Sequence, residues 1–209
     1  MDSKLNYIDF HAHHEAVDDE TFVIQDGVQT HGRHPWYLAS PHGPLGCLRN
    51  KVEQEPSPVV PQLAIGESGL DKVCDTPYEL QLQVFREEVA LSEEVRKPLF
   101  LHCVRAIDDV LRIRRELHAR QPIIWHGYRG HAQQLRQLLQ HGFYFSFGIG
   151  YNLEALRACP PDRLLLESDE DTRPISLLYN EVAQRLNMPI EKLIQQMHCN
   201  FQALFGKLN

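Results

Sequence analysis

The sequence predicts an α/β protein built as a closed or nearly closed (β/α) barrel, and two observations carry that expectation. Short apolar runs of strand length alternate with segments of helical periodicity along all 209 residues. Several of those runs stop at a histidine or a carboxylate, as happens when parallel strands bring their C-terminal ends to one mouth. No repeat or linker divides the chain, so residues 1–209 read as a single domain with about seven strands.

Taken in order, residues 7–11 (YIDFH) form the first strand, whose two-residue period puts His11 and His13 on one side and Phe10 and Ala12 on the other. An extended segment is expected within 22–34, and residues 63–67 (LAIGE) form the next apolar run. Thr76-Pro77-Tyr78-Glu79 has the form of a capping box with proline at the first helical position. It opens a helix whose Tyr78, Leu82, Phe85 and Val89 share one face. Strands at 99–102, 123–126, 143–147 and 164–167 follow, with helices at 105–118 and 131–140. Ile190, Leu193, Ile194, Met197, Phe201 and Leu204 mark a C-terminal amphipathic helix. The strands are apolar throughout, the pattern of a parallel sheet buried on both faces.

Composition narrows the function. With 43% hydrophobic and 23% charged residues the chain is neither a disordered tail nor a collagen-like rod. No apolar run approaches the roughly 20 residues that span a bilayer, and MDSKLNYIDF lacks a signal peptide's basic-then-apolar pattern, so a cytoplasmic protein is expected. Five scattered cysteines without a CxxC pair predict reduced thiols, with no disulfide framework and no thiolate zinc site. A net charge of −7 argues against a broad basic surface, so an anionic substrate would need local positive charge such as bound metal ions.

The candidates for holding such ions are the polar residues at the strand ends: His11, His13, Glu67, His102, His126 and Asp169. On one strand His-x-His makes a bidentate clamp. Nitrogen and carboxylate donors suit Zn²⁺, Mn²⁺, Fe²⁺ or Co²⁺ and admit Mg²⁺. Asp9, on the same strand side as His11, is a candidate for orienting a ligating imidazole.

The blocks IDFHAHH (8–14), HGRHPWY (31–37), AIGESGLDK (64–72), FLHCVRA (100–106), IIWHG (123–127), FYFSFG (143–148) and LLLESD (164–169) resemble the TatD-like metal-dependent hydrolases, in a compact sub-branch. The resemblance implies a TIM-type barrel, short or irregular in its first third because the interval from His11 to His34 is reduced by about one β/α unit. It implies two divalent ions, with His11, His13 and Asp169 on one, His102 and His126 on the other, and Glu67 bridging. His34 then lines the substrate side. The implied activity is phosphodiester hydrolysis, a 3′ exonuclease on single-stranded DNA, in which a water acidified between the ions attacks and Asp169 orients it.

Around the pocket the motifs depart from the family. Arg33, Arg105 and Arg129 lie just past strand ends and form a candidate positive rim for phosphate, whereas Arg112, Arg114, Arg115 and Arg120 are expected to face water. Trp36 and Tyr37 are candidates for stacking on a base. The same ligands also support hydrolysis of a small ester, lactone or amide. A metal-containing binding protein without turnover is the reading from another class. No protein partner is implied.

Overall fold

The structure of the protein, a computed structural model, describes residues 6–38 and 62–207. The Pro-rich segment 55–58 and Cys47 lie outside them. Eight strands are present among the described residues: β1 (Tyr7–Ala12), β2 (Thr21–Gln25), β3 (Thr30–His31), β4 (Ala64–Asp71), β5 (Leu99–Val104), β6 (Ile123–Trp125), β7 (Phe143–Phe147) and β8 (Leu164–Leu166). Six α-helices accompany them: α1 (Tyr78–Val95), α2 (Ile107–Glu116), α3 (Ala132–Leu139), α4 (Leu153–Ala158), α5 (Ser176–Arg185) and α6 (Ile190–Phe205). The expected strand within 22–34 is two strands, because the chain turns at Asp26-Gly27. There Gly27 adopts φ +78° and the Thr30 hydroxyl donates to Asp26 Oδ1 at 2.9 Å. No helix separates β1 from β2, which is the irregularity expected of the first third.

The strands belong to two compact units, one formed by residues 26–123 and the other by the residues before and after that stretch. In the 26–123 unit β3, β4 and β5 pair in parallel, with Ile65 opposite Leu99 and Gly69 opposite His102. Every residue of β4 is buried. Gly69 is required there: a Cβ on it would stand 1.8 Å from the His102 carbonyl oxygen. Helix α1 covers β4 with Val84, Phe85 and Val89, and its buried stripe includes the polar Gln81, Glu88 and Ser92, while Tyr78 and Leu82 are only half-buried. The expected capping box does not form. Pro77 is the cap, with no side-chain bond, and its carbonyl accepts the Leu80 and Gln81 N–H groups.

In the second unit β1 pairs in parallel with β2, β7 with β8, and Ala12 bridges Asp169. Phe10, Tyr128, Phe143, Phe145, Phe147, Tyr179 and Phe201 fill its core. Helix α6 packs on β1 and β8. Its buried Asn200 donates to the Pro161 and Leu164 carbonyls at 2.8 and 2.7 Å. The buried Tyr179 hydroxyl accepts the Ile8 N–H at 3.2 Å and donates to the Ile8 carbonyl at 2.7 Å, so a helix side chain completes the backbone pairing of β1.

Of the arginines expected to face water, Arg115 and Arg120 are exposed, but Arg112 pairs with Asp109 at 2.8 Å and Arg114 is half-buried. Cys74, Cys103, Cys159 and Cys199 are free thiols. Burial pushes the Cys103 thiol up to about 12 and raises that of Cys159 as well, so neither offers a thiolate nucleophile near neutral pH. Among the described residues no helix is long and apolar enough to cross a membrane.

Candidate metal centre

In the 26–123 unit the residues gather on Glu67, near the middle of β4. Its backbone N–H donates to Asp26 Oδ1 at 3.1 Å, and its buried carboxylate oxygen Oε1 lies 2.9 Å from His102 Nδ1 and 3.0 Å from His34 Nε2. His102 comes within reach because Gly69 lets β5 approach closely. The other ring nitrogen of His102, Nε2, lies 3.2 Å from Asp71 Oδ2. Asp71 is itself held by the Trp36 indole N–H at 2.7 Å and the Val73 N–H at 2.8 Å. Burial alone would raise the Asp71 carboxyl, but the Trp36, Val73 and His102 bonds together hold it below the usual carboxylate range.

That arrangement assigns the protons. Asp71 is ionised and accepts from His102 Nε2, so in the neutral imidazole the lone pair sits on Nδ1 and faces Glu67 Oε1. Two acceptors 2.9 Å apart require a shared proton or a cation bound by both. The carboxylate–imidazole order, Asp71 then His102, is the one by which proteins orient metal-ligating histidines. Sequence reasoning missed Asp71, although Glu67, Gly69 and Asp71 follow the two-residue period of one strand side.

The second unit builds its group by backbone pairing. Asp169 N–H donates to the His11 carbonyl at 2.9 Å and His13 N–H donates to the Asp169 carbonyl at 3.0 Å, which fixes Asp169 in a left-handed conformation, φ +60°. Its Oδ1 then lies 3.5 Å from His13 Nε2 and 4.0 Å from His11 Nε2. The His11 ring is fully buried and lies 4.6 Å, centre to centre, from that of His126. His126 Nδ1 faces Glu167 Oε1 at 3.5 Å, and the same oxygen accepts the Gly127 N–H at 2.5 Å. Burial would raise the Glu167 carboxyl, but the hydrogen bonds and charges of its neighbours, His126 foremost, hold it low. Asp9 does not address an imidazole directly in these bonds. Its Oδ1 accepts from the His11 and Ser168 N–H groups and Oδ2 from the Ser168 hydroxyl, while burial pushes it up to about 6 against those bonds.

The donor chemistry fits divalent ions. His11, His126 and Asp169 offer ligand atoms within 4.8 Å of one another, and so do His34, Glu67 and His102. Bonds of about 2.0–2.2 Å to one ion place two donors at most about 4.4 Å apart, so each group is near ligating spacing. The resemblance assigned His126 to the other ion; within its own unit it stands with His11 and Asp169.

The remaining site candidates separate. Arg33 does not extend as a free rim cation: its guanidinium contacts Glu87 at 2.8 Å and Glu88 at 3.4 Å on α1, and its N–H donates to Glu88 at 2.7 Å. Arg105, at φ +54° just past β5, and Arg129, just past β6, are exposed. Trp36 and Tyr37 are exposed by 53% and 66% in the 3-10 turn that follows His34.

Comparison with known proteins identifies the family. The family model described as TatD related DNase matches residues 9–206. An uncharacterized metal-dependent hydrolase of Bacillus subtilis, YabD, is 37% identical over 116 residues, covering 51% of this chain and 46% of that protein. The Erwinia amylovora protein named 3′-5′ ssDNA/RNA exonuclease TatD is 30% identical over 210 residues, covering 86% of this chain and 76% of that one. The chain thus spans under half the length of the first relative and about three quarters of the second. The crystal structure of YJJV, a TatD homologue from Escherichia coli K12, superposes with a TM-score of 0.82 at 21% identity, over 98% of this chain and 99% of that one. This likeness shows the fold, a (β/α) barrel of the TIM type. With the model matched from the first strand through the last helix, the chain belongs to the TatD-related DNase family.

Proposed function

We propose that this chain is a divalent-metal-dependent phosphodiesterase, a 3′ exonuclease on single-stranded DNA, acting as one barrel domain over 1–209. The observation that carries the reading is the pair of imidazole–carboxylate groups on parallel strands, each near ligating spacing, in a chain of a nuclease family. His11, His13, His126 and Asp169 would hold one ion, and Glu67 with His102 the other. Mg²⁺, Mn²⁺ or Zn²⁺ bound there would polarise the phosphodiester and lower the pKa of water toward neutrality.

The protein's own residues supply the rest. Asp169 Oδ1 orients the attacking water and accepts its proton. The Asp71 carboxylate keeps His102 turned with Nδ1 toward Glu67, and the Glu167 carboxylate holds the His126 ring in the other unit. His34, on the substrate side, donates from Nε2. Arg105 and Arg129 form the positive rim for the phosphate backbone, and Trp36 and Tyr37 offer faces for a base.

The test is cleavage of end-labelled single-stranded DNA with Mg²⁺ or Mn²⁺, beside Asp169→Asn protein prepared identically. Trimming from the 3′ end by the wild type alone supports the reading. Equal activity in both preparations means a contaminating nuclease, and no activity in either removes the nuclease reading and directs the search to small esters and amides.

A further inference from the structure

In the unit that holds His11, His126 and Asp169 lies a cavity of about 430 Å³, which has Glu167 in its lining. It is formed where β7 and β8 end: Ile149 to Leu153 leave β7 on one side, and Glu167 and Ser168 lead from β8 to Asp169 on the other, with α5 closing the third side. Ile149, Leu153, Ile175 and Leu177 make its walls mainly apolar, and Ile149 and Leu177 remain 43% and 57% exposed. Leaving such surface wet costs about 25 cal/mol per Å², so a ligand that covers it gains that free energy. The volume falls in the range of small-molecule sites, roughly 300–1,000 Å³.

The charges of the lining exclude an anion as the occupant. Arg173 is held by Asp171 at 2.7 Å, and Arg185 and the Tyr151 hydroxyl both turn to Glu181, at 3.8 and 2.7 Å. With Glu167 the acidic groups outnumber the basic ones. A neutral group is wanted, one with flat faces for the apolar walls and the Tyr151 ring. A phosphate attached to that group would find its cation next door, because Gly150 in the cavity wall packs against Arg129; an added Cβ there would stand 3.8 Å from Arg129 Nε.

We propose that this cavity receives the nucleoside attached to the phosphodiester under attack, base and sugar together, with the phosphate lying toward Arg129 and Asp169. The proposal rests on the nuclease reading and deepens it. It makes the residues at 149–153 and 174–178, rather than the metal ligands, responsible for preferring nucleotides over simple phosphodiesters.

The experiment compares the p-nitrophenyl ester of thymidine 5′-monophosphate with methyl p-nitrophenyl phosphate, using wild type, Leu177→Asp and Ile149→Asp; both positions are exposed enough to accept a charge. The wild type is expected to prefer the thymidine ester, and each variant to reduce that preference, as a ratio of kcat/KM values, at least tenfold through KM. A ratio within twofold of wild type in both variants overturns the proposal. If the wild type turns over neither ester, the nuclease reading fails, and calorimetric titration with thymidine 5′-monophosphate decides the cavity separately. Tenfold weaker binding by Leu177→Asp than by wild type sustains it. Equal binding, or none by the wild type, overturns it.

Discussion

His34 Nε2 stands 3.0 Å from Glu67 Oε1 while Nδ1 of the same ring accepts the Trp36 N–H at 3.2 Å. A neutral imidazole has one lone pair, and here Nδ1 spends it on the backbone, so Nε2 carries a proton and donates. His34 is therefore a donor to Glu67, in contrast to His102, whose lone pair faces that carboxylate. After dialysis against trace Mn²⁺, His34→Ala should keep its metal content by elemental analysis while kcat falls about 10- to 100-fold. His102→Ala should lose metal. Equal loss of metal in both would make His34 a ligand.

Glu167 acts through His126, and its amide should reveal that. Glu167→Gln keeps an oxygen for the Gly127 N–H but removes the charge that aligns the His126 ring. Mn²⁺ affinity by titration calorimetry should weaken about 10- to 100-fold, with little change in Tm. Unchanged affinity would leave Glu167 a packing residue only.

Glu88 gives the fold a pH dependence of its own. It is fully buried on α1, and burial pushes its carboxyl up to about 7, against the offsetting bonds of Ser68 and Arg33. The folded state then binds the proton more tightly than the unfolded chain, so stability is fullest below about pH 4.5 on this account and is lost as pH rises toward 7. The slope is at most about 1.4 kcal/mol per pH unit. Glu88→Gln should flatten the decline in Tm between pH 5 and 7, which differential scanning fluorimetry across that range checks.

Arg33, Arg105 and Arg129 should differ in kind. A contact to the single-stranded backbone contributes about 0.7 to the slope of log affinity against log salt. Arg105→Ala and Arg129→Ala should each lower the slope by about that amount in fluorescence anisotropy. Arg33→Ala should leave the slope alone and lower stability by about 1–3 kcal/mol, since the buried Glu88 then loses the guanidinium that offsets its burial and Glu87 loses its ion pair.

The strands that bear the site were legible because strands buried on both faces read as unbroken apolar runs, and a polar residue at the end of such a run is conspicuous. That is how His11, Glu67, His102, His126 and Asp169 stand out. Asp71 and Glu167 were not legible, since each works by aligning an imidazole, and charge in a sequence does not name its partner. Arg33 looked like a rim residue for the same reason: Glu88, which holds it, lies far along the chain on α1. Helices α4 and α5 escaped because one spans only six residues and the other begins just after a proline-containing turn. The 22–34 segment concealed a second strand because β3 is two residues long, too short for any periodicity.

The Tyr179 bond to Ile8 has a consequence for partial unfolding. Strand β1 bears His11 and leads into His13, yet the groups that align it, Tyr179 and Asp169, lie beyond the 26–123 stretch in the sequence. Helix α6, which packs on β1, lies farther along still. A local opening of α5 or α6 therefore loosens β1 with it, and both histidines then lose the frame that aims them.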